Sequence, residues 1–255
     1  MGIKGILFDL DGTVYLGEKE VSGAGDFING LKPHGISPMF VTNRSNRSET
    51  QVCKHLREYG IECEERDVIT TAYATALHLK KGSYYAIGEK NLFDTLNRHG
   101  FVYDAKAPDY VIISFDREFD YSKLSIAVGL IHEGAKFIST NPDRALKMYD
   151  SILPGTGAIV AAVEAGSDVA PLTIGKPERV IFDIAIERMG IDRSEVIAVG
   201  DNLLTDIPAG AAAGIRTALI LTGMSKREDI ASSPIEPTWV VEGYHELREI
   251  FNAYA

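Results

Sequence analysis

Cysteine is scarce in this chain: Cys53 and Cys63 are the only two, and no Cys-x-x-Cys spacing is present. A disulfide framework or a thiolate zinc site is therefore not expected, and a reducing compartment, the cytoplasm, is. Long apolar runs are missing too. No stretch approaches the ~20 apolar residues of a membrane-spanning helix. The first apolar segment is cut short by Asp9 and Asp11, which does not read as a signal-peptide core. Positive charge is in deficit, with 26 Lys and Arg against 36 Asp and Glu and a formal net charge of -10. General electrostatics thus speak against a nucleic-acid or anionic-membrane partner. An anionic substrate would meet the same repulsive field, so a local cation has to reverse it. The six histidines are scattered without ligand spacing, and no repeat or low-complexity tract appears.

What is present suits a globular α/β protein. At 255 residues and 45% hydrophobic content the chain can build one large domain or two modest ones. The apolar run that begins near Ile3 reads as a buried parallel strand and stops at Asp9-Leu10-Asp11-Gly12-Thr13. An Asp-Gly pair can simply end an edge strand. Here the apolar run argues for a central strand, where two carboxylates at the C-terminal end suit a divalent cation and a phosphoryl group. Gly12 to Ser22 reads as a short flap and Gly23 to Pro33 as a helix. Three later segments repeat the pattern of apolar strand, polar residue, helix. Ser37 to Val41 ends in Thr42-Asn43-Arg44-Ser45 before a helix over Ser48 to Tyr59. Val169 to Ile174 ends in Gly175-Lys176-Pro177 before a helix over Arg179 to Met189. Glu195 to Val199 ends in Gly200-Asp201-Asn202 with Thr205-Asp206 beyond.

Each signal has a plain structural alternative: Thr42 to Ser48 and Asn202 to Thr205 are good helix caps, and Lys176 alone reads as a surface lysine. Leu153-Pro154-Gly155-Thr156-Gly157 lacks the spacing of a P-loop, and tight packing is the better account of its glycines. Together the four strand ends place Asp9, Asp11, Thr42, Asn43, Lys176 and Asp201 on one rim of a parallel sheet. Carboxylates there can hold Mg²⁺, and a hydroxyl, amides and an ammonium can hold phosphate oxygens.

In these motifs, taken in this order, the sequence resembles the haloacid dehalogenase superfamily of aspartate-nucleophile phosphohydrolases. Val41-Thr42-Asn43, Ser139-Thr140-Asn141-Pro142-Asp143, Gly175-Lys176-Pro177 and Gly200-Asp201-Asn202-Leu203 are similar to its NagD-like branch, with a class IIA cap. The resemblance implies a Rossmann-like parallel-sheet core with an inserted α/β cap. Only about thirty residues separate Asp11 from Thr42, whereas about 130 separate Asn43 from Lys176, so the insertion falls in the second interval. The expected core is residues 1–80 and 173–255, and the expected cap is 81–172. The cap would select the substrate, with Asn141, Asp143 and the turn Pro154 to Gly157 as candidate contacts.

The resemblance further implies Mg²⁺-dependent hydrolysis of a small phosphorylated metabolite through an aspartyl-phosphate. Asp9 would be the nucleophile and Asp11 the acid and base. Thr42, Asn43 and Lys176 would bind the transferred group. Asp9, the Asp11 carbonyl and Asp201 would hold the metal, supported by Asn202 and Asp206. Arg44 departs from the asparagine usual in related sequences; its guanidinium could touch a phosphate or a substrate carboxylate, but because Asn43 is retained it is read as a surface residue. A phosphomutase would share the first aspartate and is separable by product analysis; a receiver-like phosphorylation switch would need no large cap, and its phosphoryl-aspartate would persist long enough to detect. An exposed cap surface leaves room for a homodimer.

Overall fold

The computed structural model describes residues 2–147 and 152–254. The chain divides into two compact units. The first comprises the residues up to Thr42, Glu49–Ile69 and those from Lys176 onward, and the second comprises Asn43–Ser48 and Thr70–Gly175.

The first unit is built on a six-stranded sheet. Its order is Trp239–Val241, Arg216–Ile220, Val196–Gly200, Gly5–Phe8, Ser37–Thr42, Val68–Thr70. Gly5–Phe8 is central, paired in parallel with Val196–Gly200 on one side and Ser37–Thr42 on the other. Its four residues are all buried, Ile6, Leu7 and Phe8 completely, which is why it reads as an unbroken apolar run rather than an alternating one. Ile6 and Phe8 join a core with Phe27, Ile28, Phe40, Leu56, Ile61 and Leu247. The chain adds strands first on one side of Gly5–Phe8 and later on the other, so the strand order reverses there. Such a reversal opens a crevice beyond the strand ends, and Asp9 is the first residue past this one.

The local elements follow their sequence signals. The flap is the hairpin Tyr15–Leu16 with Lys19–Glu20. The helix behind Thr42 runs over Glu49–Glu58 and the one behind Lys176 over Val180–Met189, closing on Gly190 with φ 64°. That backbone region is cheap only for glycine. The Lys176–Pro177 peptide is cis.

The second unit holds a five-stranded sheet in the order Leu172–Thr173, Lys136–Ser139, Tyr110–Ile113, Ser83–Ile87, Val102–Tyr103, with all four pairings parallel. Tyr85, Ile87, Val111, Ile113, Leu130, Phe137, Ile159 and Val163 form a core of its own. The apolar run read as a strand over Val169 to Ile174 is strand only at Leu172–Thr173. The helix that follows the turn Pro154 to Gly155 runs over Thr156–Ser167. Gly155 and Gly157 sit where a Cβ would drive into the carbonyl oxygens of Asp143 and Pro142, so close backbone packing does account for them. This unit also contains the helix Thr71–Leu79 and the loop Asn43–Ser48, which the expected boundaries of 1–80 and 81–172 assigned to the core. Hydrogen bonds explain the loop's membership. Ser114 Oγ donates to Ser45 Oγ (2.5 Å), Asn91 Nδ2 to the Ser45 carbonyl (2.8 Å), and Thr71 Oγ1 to the Asn43 carbonyl (2.9 Å). No helix among the described residues is long and apolar enough to cross a membrane.

Candidate active site

Three carboxylates and one ammonium meet at the C-terminal edge of the first unit's sheet. Asp9 follows its central strand, and its N–H is fixed by the Val199 carbonyl of the neighbouring strand (2.9 Å). Asp201 follows Val196–Gly200, and Asp206 opens the helix Asp206–Ala212. Asp9, Asp201 and Asp206 each offer an oxygen within 4.8 Å of the others. Lys176 lies among them with its side chain only 2% exposed. Its Nζ donates to Asp9 Oδ1 at 2.5 Å and to the Val41 carbonyl at 3.2 Å, and it forms an ion pair with Asp206 Oδ1 at 2.7 Å. A lysine that sequence alone would leave on the surface is thus one of the most buried side chains of the protein.

The electrostatics follow from that burial. Loss of water pushes the Asp9 carboxyl well above the usual carboxylate range. Lys176 opposes the rise, and Asp206 and then Asp201 add to it. Asp201 is raised to about 7, by burial first and the Asp206 charge second, against the Met224 N–H and Lys176. For Lys176 burial works downward, but Asp206 and Asp9 outweigh it and hold the ammonium above its usual range. Three acidic groups therefore share one permanent cation, and Asp9 and Asp201 resist ionising without a second. That donor set, hard oxygens with uncompensated negative charge, fits a divalent cation.

The supporting residues are arranged close by. Asp206 packs flat on Gly200, where any Cβ would collide with it, and its Oδ2 accepts from the Asn202 N–H (3.1 Å). The Asn202 side chain turns back to cap the Leu204 N–H at 2.8 Å. Asp11 is half-buried in a tight loop that returns to the flap, with the Gly12 N–H donating to the Tyr15 carbonyl (2.7 Å). Thr42 is buried at the end of the strand beside Gly5–Phe8, on the same edge as Asp9.

Asn43, next in sequence, belongs to the second unit. Its Nδ2 donates to Asp143 Oδ2 (3.1 Å), while Asn141 Nδ2 and Thr71 Oγ1 both donate to its carbonyl at 2.9 Å. Asn141 and Asp143, singled out as candidate substrate contacts, are thus partners of Asn43. Arg44, expected on the surface, is half-buried, its carbonyl accepting from the Thr71 N–H (3.3 Å).

Two features were not read from the sequence. One is the direct contact of Asp206 with Lys176, because a carboxylate inside a helix start looks like an ordinary first-turn acid. The other is the turn Thr222 to Ser225, whose backbone and hydroxyl reach Gly12, Asp201 and Leu203. It follows a strand end like the other motifs but carries no charge to draw notice.

This fold and this acidic cluster define a class. Residues 6–102 match the haloacid dehalogenase-like hydrolase family and residues 173–247 match a HAD-hydrolase-like family. The chain is 38% identical over 247 residues to the 5'-nucleotidase YutF of Bacillus subtilis, covering 95% of this chain and 96% of that one. To the acid sugar phosphatase of Staphylococcus aureus it is 40% identical over 248 residues, with the same coverage. The structure of NagD from E. coli K-12 superposes with a TM-score of 0.91 at 32% identity, covering 96% of this chain and 98% of that one. The chain belongs to the haloacid dehalogenase-like hydrolases, in their NagD-like branch, and its enzyme class is phosphoric monoester hydrolase.

Proposed function

We propose that the protein hydrolyses small phosphorylated metabolites with Mg²⁺ as cofactor, through an aspartyl-phosphate on Asp9. The observation that carries this reading is the buried Lys176 ammonium shared by Asp9 and Asp206, with Asp201 completing the acidic cluster. A phosphate monoester repels an anionic nucleophile, and its uncatalysed hydrolysis is among the slowest of biological reactions, with enzymatic accelerations up to ~10²¹. A site for this reaction must therefore neutralise charge before anything else.

In the first step an Asp9 carboxylate oxygen forms a bond to phosphorus as the ester P–O bond breaks, and Asp11 gives its proton to the departing oxygen. In the second, water attacks the phosphoryl-aspartate, its proton passes to Asp11, and Asp9 and inorganic phosphate are released. Lys176 holds Asp9 in line and screens its charge from the incoming phosphate. Thr42 and Asn43 donate to the transferred group, and Asp143 fixes the Asn43 amide. Asp9, the Asp11 carbonyl and Asp201 would hold Mg²⁺, with Asp206 and Asn202 supporting them. When bound, the ion supplies charge neutralisation on the phosphoryl oxygens. The second unit acts as the cap that selects the substrate. Nucleoside monophosphates and sugar phosphates head the substrate panel, since the curated relatives are named for a nucleotidase and an acid sugar phosphatase.

The test is phosphate release over a monoester panel with Mg²⁺ present. Asp9→Asn should lower turnover by at least about 10³-fold with the fold intact, the scale of loss when a nucleophile is removed. Half-retained activity would end the assignment. Release of free phosphate, rather than a rearranged ester, separates hydrolysis from a mutase.

A further inference from the structure

The turn after the strand Arg216–Ile220 joins the two acidic loops. Thr222 Oγ1 donates to the Gly12 carbonyl at 2.6 Å. The Met224 N–H donates to Asp201 Oδ2 at 2.5 Å, and the Ser225 N–H to the Asp201 carbonyl at 3.1 Å. Ser225 Oγ accepts from the Leu203 N–H at 2.9 Å. Four consecutive residues thus make four bonds, one to the Asp9–Thr13 loop and three to the loop that begins with Asp201.

The remaining residue, Gly223, supplies closeness. A Cβ there would lie 2.7 Å from Gly12 Cα and would collide with the Asp201 carboxylate, and a Cβ on Gly12 would strike the same carboxylate. Asp201 is therefore held between two glycine backbones, with one oxygen tied to an amide. Gly223 itself is solvent-exposed, so hydrophobic packing does not account for it; the collision with Asp201 does.

On the reading of the site given above, we propose that Thr222, Gly223 and the Met224 N–H are positioning elements for the cation: they fix the Asp201 carboxylate and the Asp9–Thr13 loop relative to each other. Taking one Asp201 oxygen on a backbone amide commits that oxygen and orients the other, and the Thr222 hydroxyl pins the loop that carries Asp9 and Asp11. Removing groups that orient metal ligands costs about 10- to 100-fold in metal affinity. On this reading the Thr222–Ser225 turn orients the ligands rather than supplying one, so its loss should act first on metal affinity.

The experiment measures Mn²⁺ binding to the full chain without substrate, by electron paramagnetic resonance of the free ion, for wild type, Gly223→Ala, Thr222→Val and Thr222→Ser. Gly223→Ala and Thr222→Val should raise Kd at least about tenfold, and Thr222→Ser, which keeps the hydroxyl, should stay near wild type. Excess Mg²⁺ should return kcat of the two weakened variants toward wild type. If wild type binds Mn²⁺ and both variants bind as tightly, the positioning role is overturned while the reading of the site stands. Weakened binding that Thr222→Ser fails to restore also overturns it. If wild type binds no Mn²⁺, the cation reading falls and this inference with it. Thr222→Val keeps the test decisive should Gly223→Ala not fold.

Discussion

Replacing Lys176 with methionine tests the charge balance of the site independently of catalysis. The ammonium is buried between Asp9 and Asp206 with Asp201 beside them, and methionine keeps the length and apolar stem while removing the cation. Breaking a buried ion pair by deleting one partner costs about 3–5 kcal/mol, because the remaining charge is left uncompensated. A chain of this size loses about 2–4 °C of melting temperature per kcal/mol, so a fall of at least roughly 6 °C is expected at pH 8. Trp239, the only tryptophan, lies in the first unit's sheet, so its fluorescence reports the unfolding of that unit. The loss should shrink at pH 5. Asp201 is raised to about 7, by burial first, so in metal-free protein it is largely protonated there and needs the lysine less; burial pushes Asp9 in the same direction. Adding Asp206→Asn to Lys176→Met should recover part of the loss at pH 8. A fall below 2 °C at pH 8, or an equal fall at both pH values, would refute the charge argument.

Metal and pH should be linked through Asp201. A carboxyl raised to about 7 in the folded protein contributes stability that is present at acid pH and lost as pH rises through about 7. The melting temperature of chelator-treated protein should therefore fall over that range, and Mg²⁺ should cancel the fall. Mg²⁺ affinity should weaken below pH 7 by up to about tenfold per pH unit as a proton competes for the site; a flat profile by calorimetry would contradict this. Chelation should abolish turnover, and restored Mg²⁺ should return it. Gly157→Ala should destabilise the second unit by about 1–3 kcal/mol through overpacking against the Pro142 carbonyl, seen as earlier proteolysis within residues 70–175 and no change in Trp239 fluorescence.

Much of this was legible because the physics is local. The run Gly5–Phe8 is buried on both faces and reads as a central strand, and the helix Glu49–Glu58 carries its period in sequence, with Val52 and Leu56 buried. The strand ends at Asp9, Thr42 and Asp201 announce themselves by a break from apolar to polar, whereas the strand before Lys176, expected on the same rim, pairs in the second unit's sheet. What stayed hidden depends on partners far along the chain. The depth of Lys176 is set by carboxylates 167 residues before it and further on, and the capture of Asn43–Ser48 by the second unit is set by Ser114, Asn91 and Thr71. A pattern of residues shows which groups are polar; it does not show which distant group satisfies them.

The hydroxyl chain Thr140–Ser114–Ser45 has a consequence for anyone exchanging the second unit of this enzyme for a foreign one. A splice that trades only residues 81–172 would leave Ser45 behind without Ser114 and Asn91, two of the three partners that hold its segment. A chimaera should carry both pieces of the donor, the short segment equivalent to 43–48 and the long one equivalent to 70–175, as a single heritable unit.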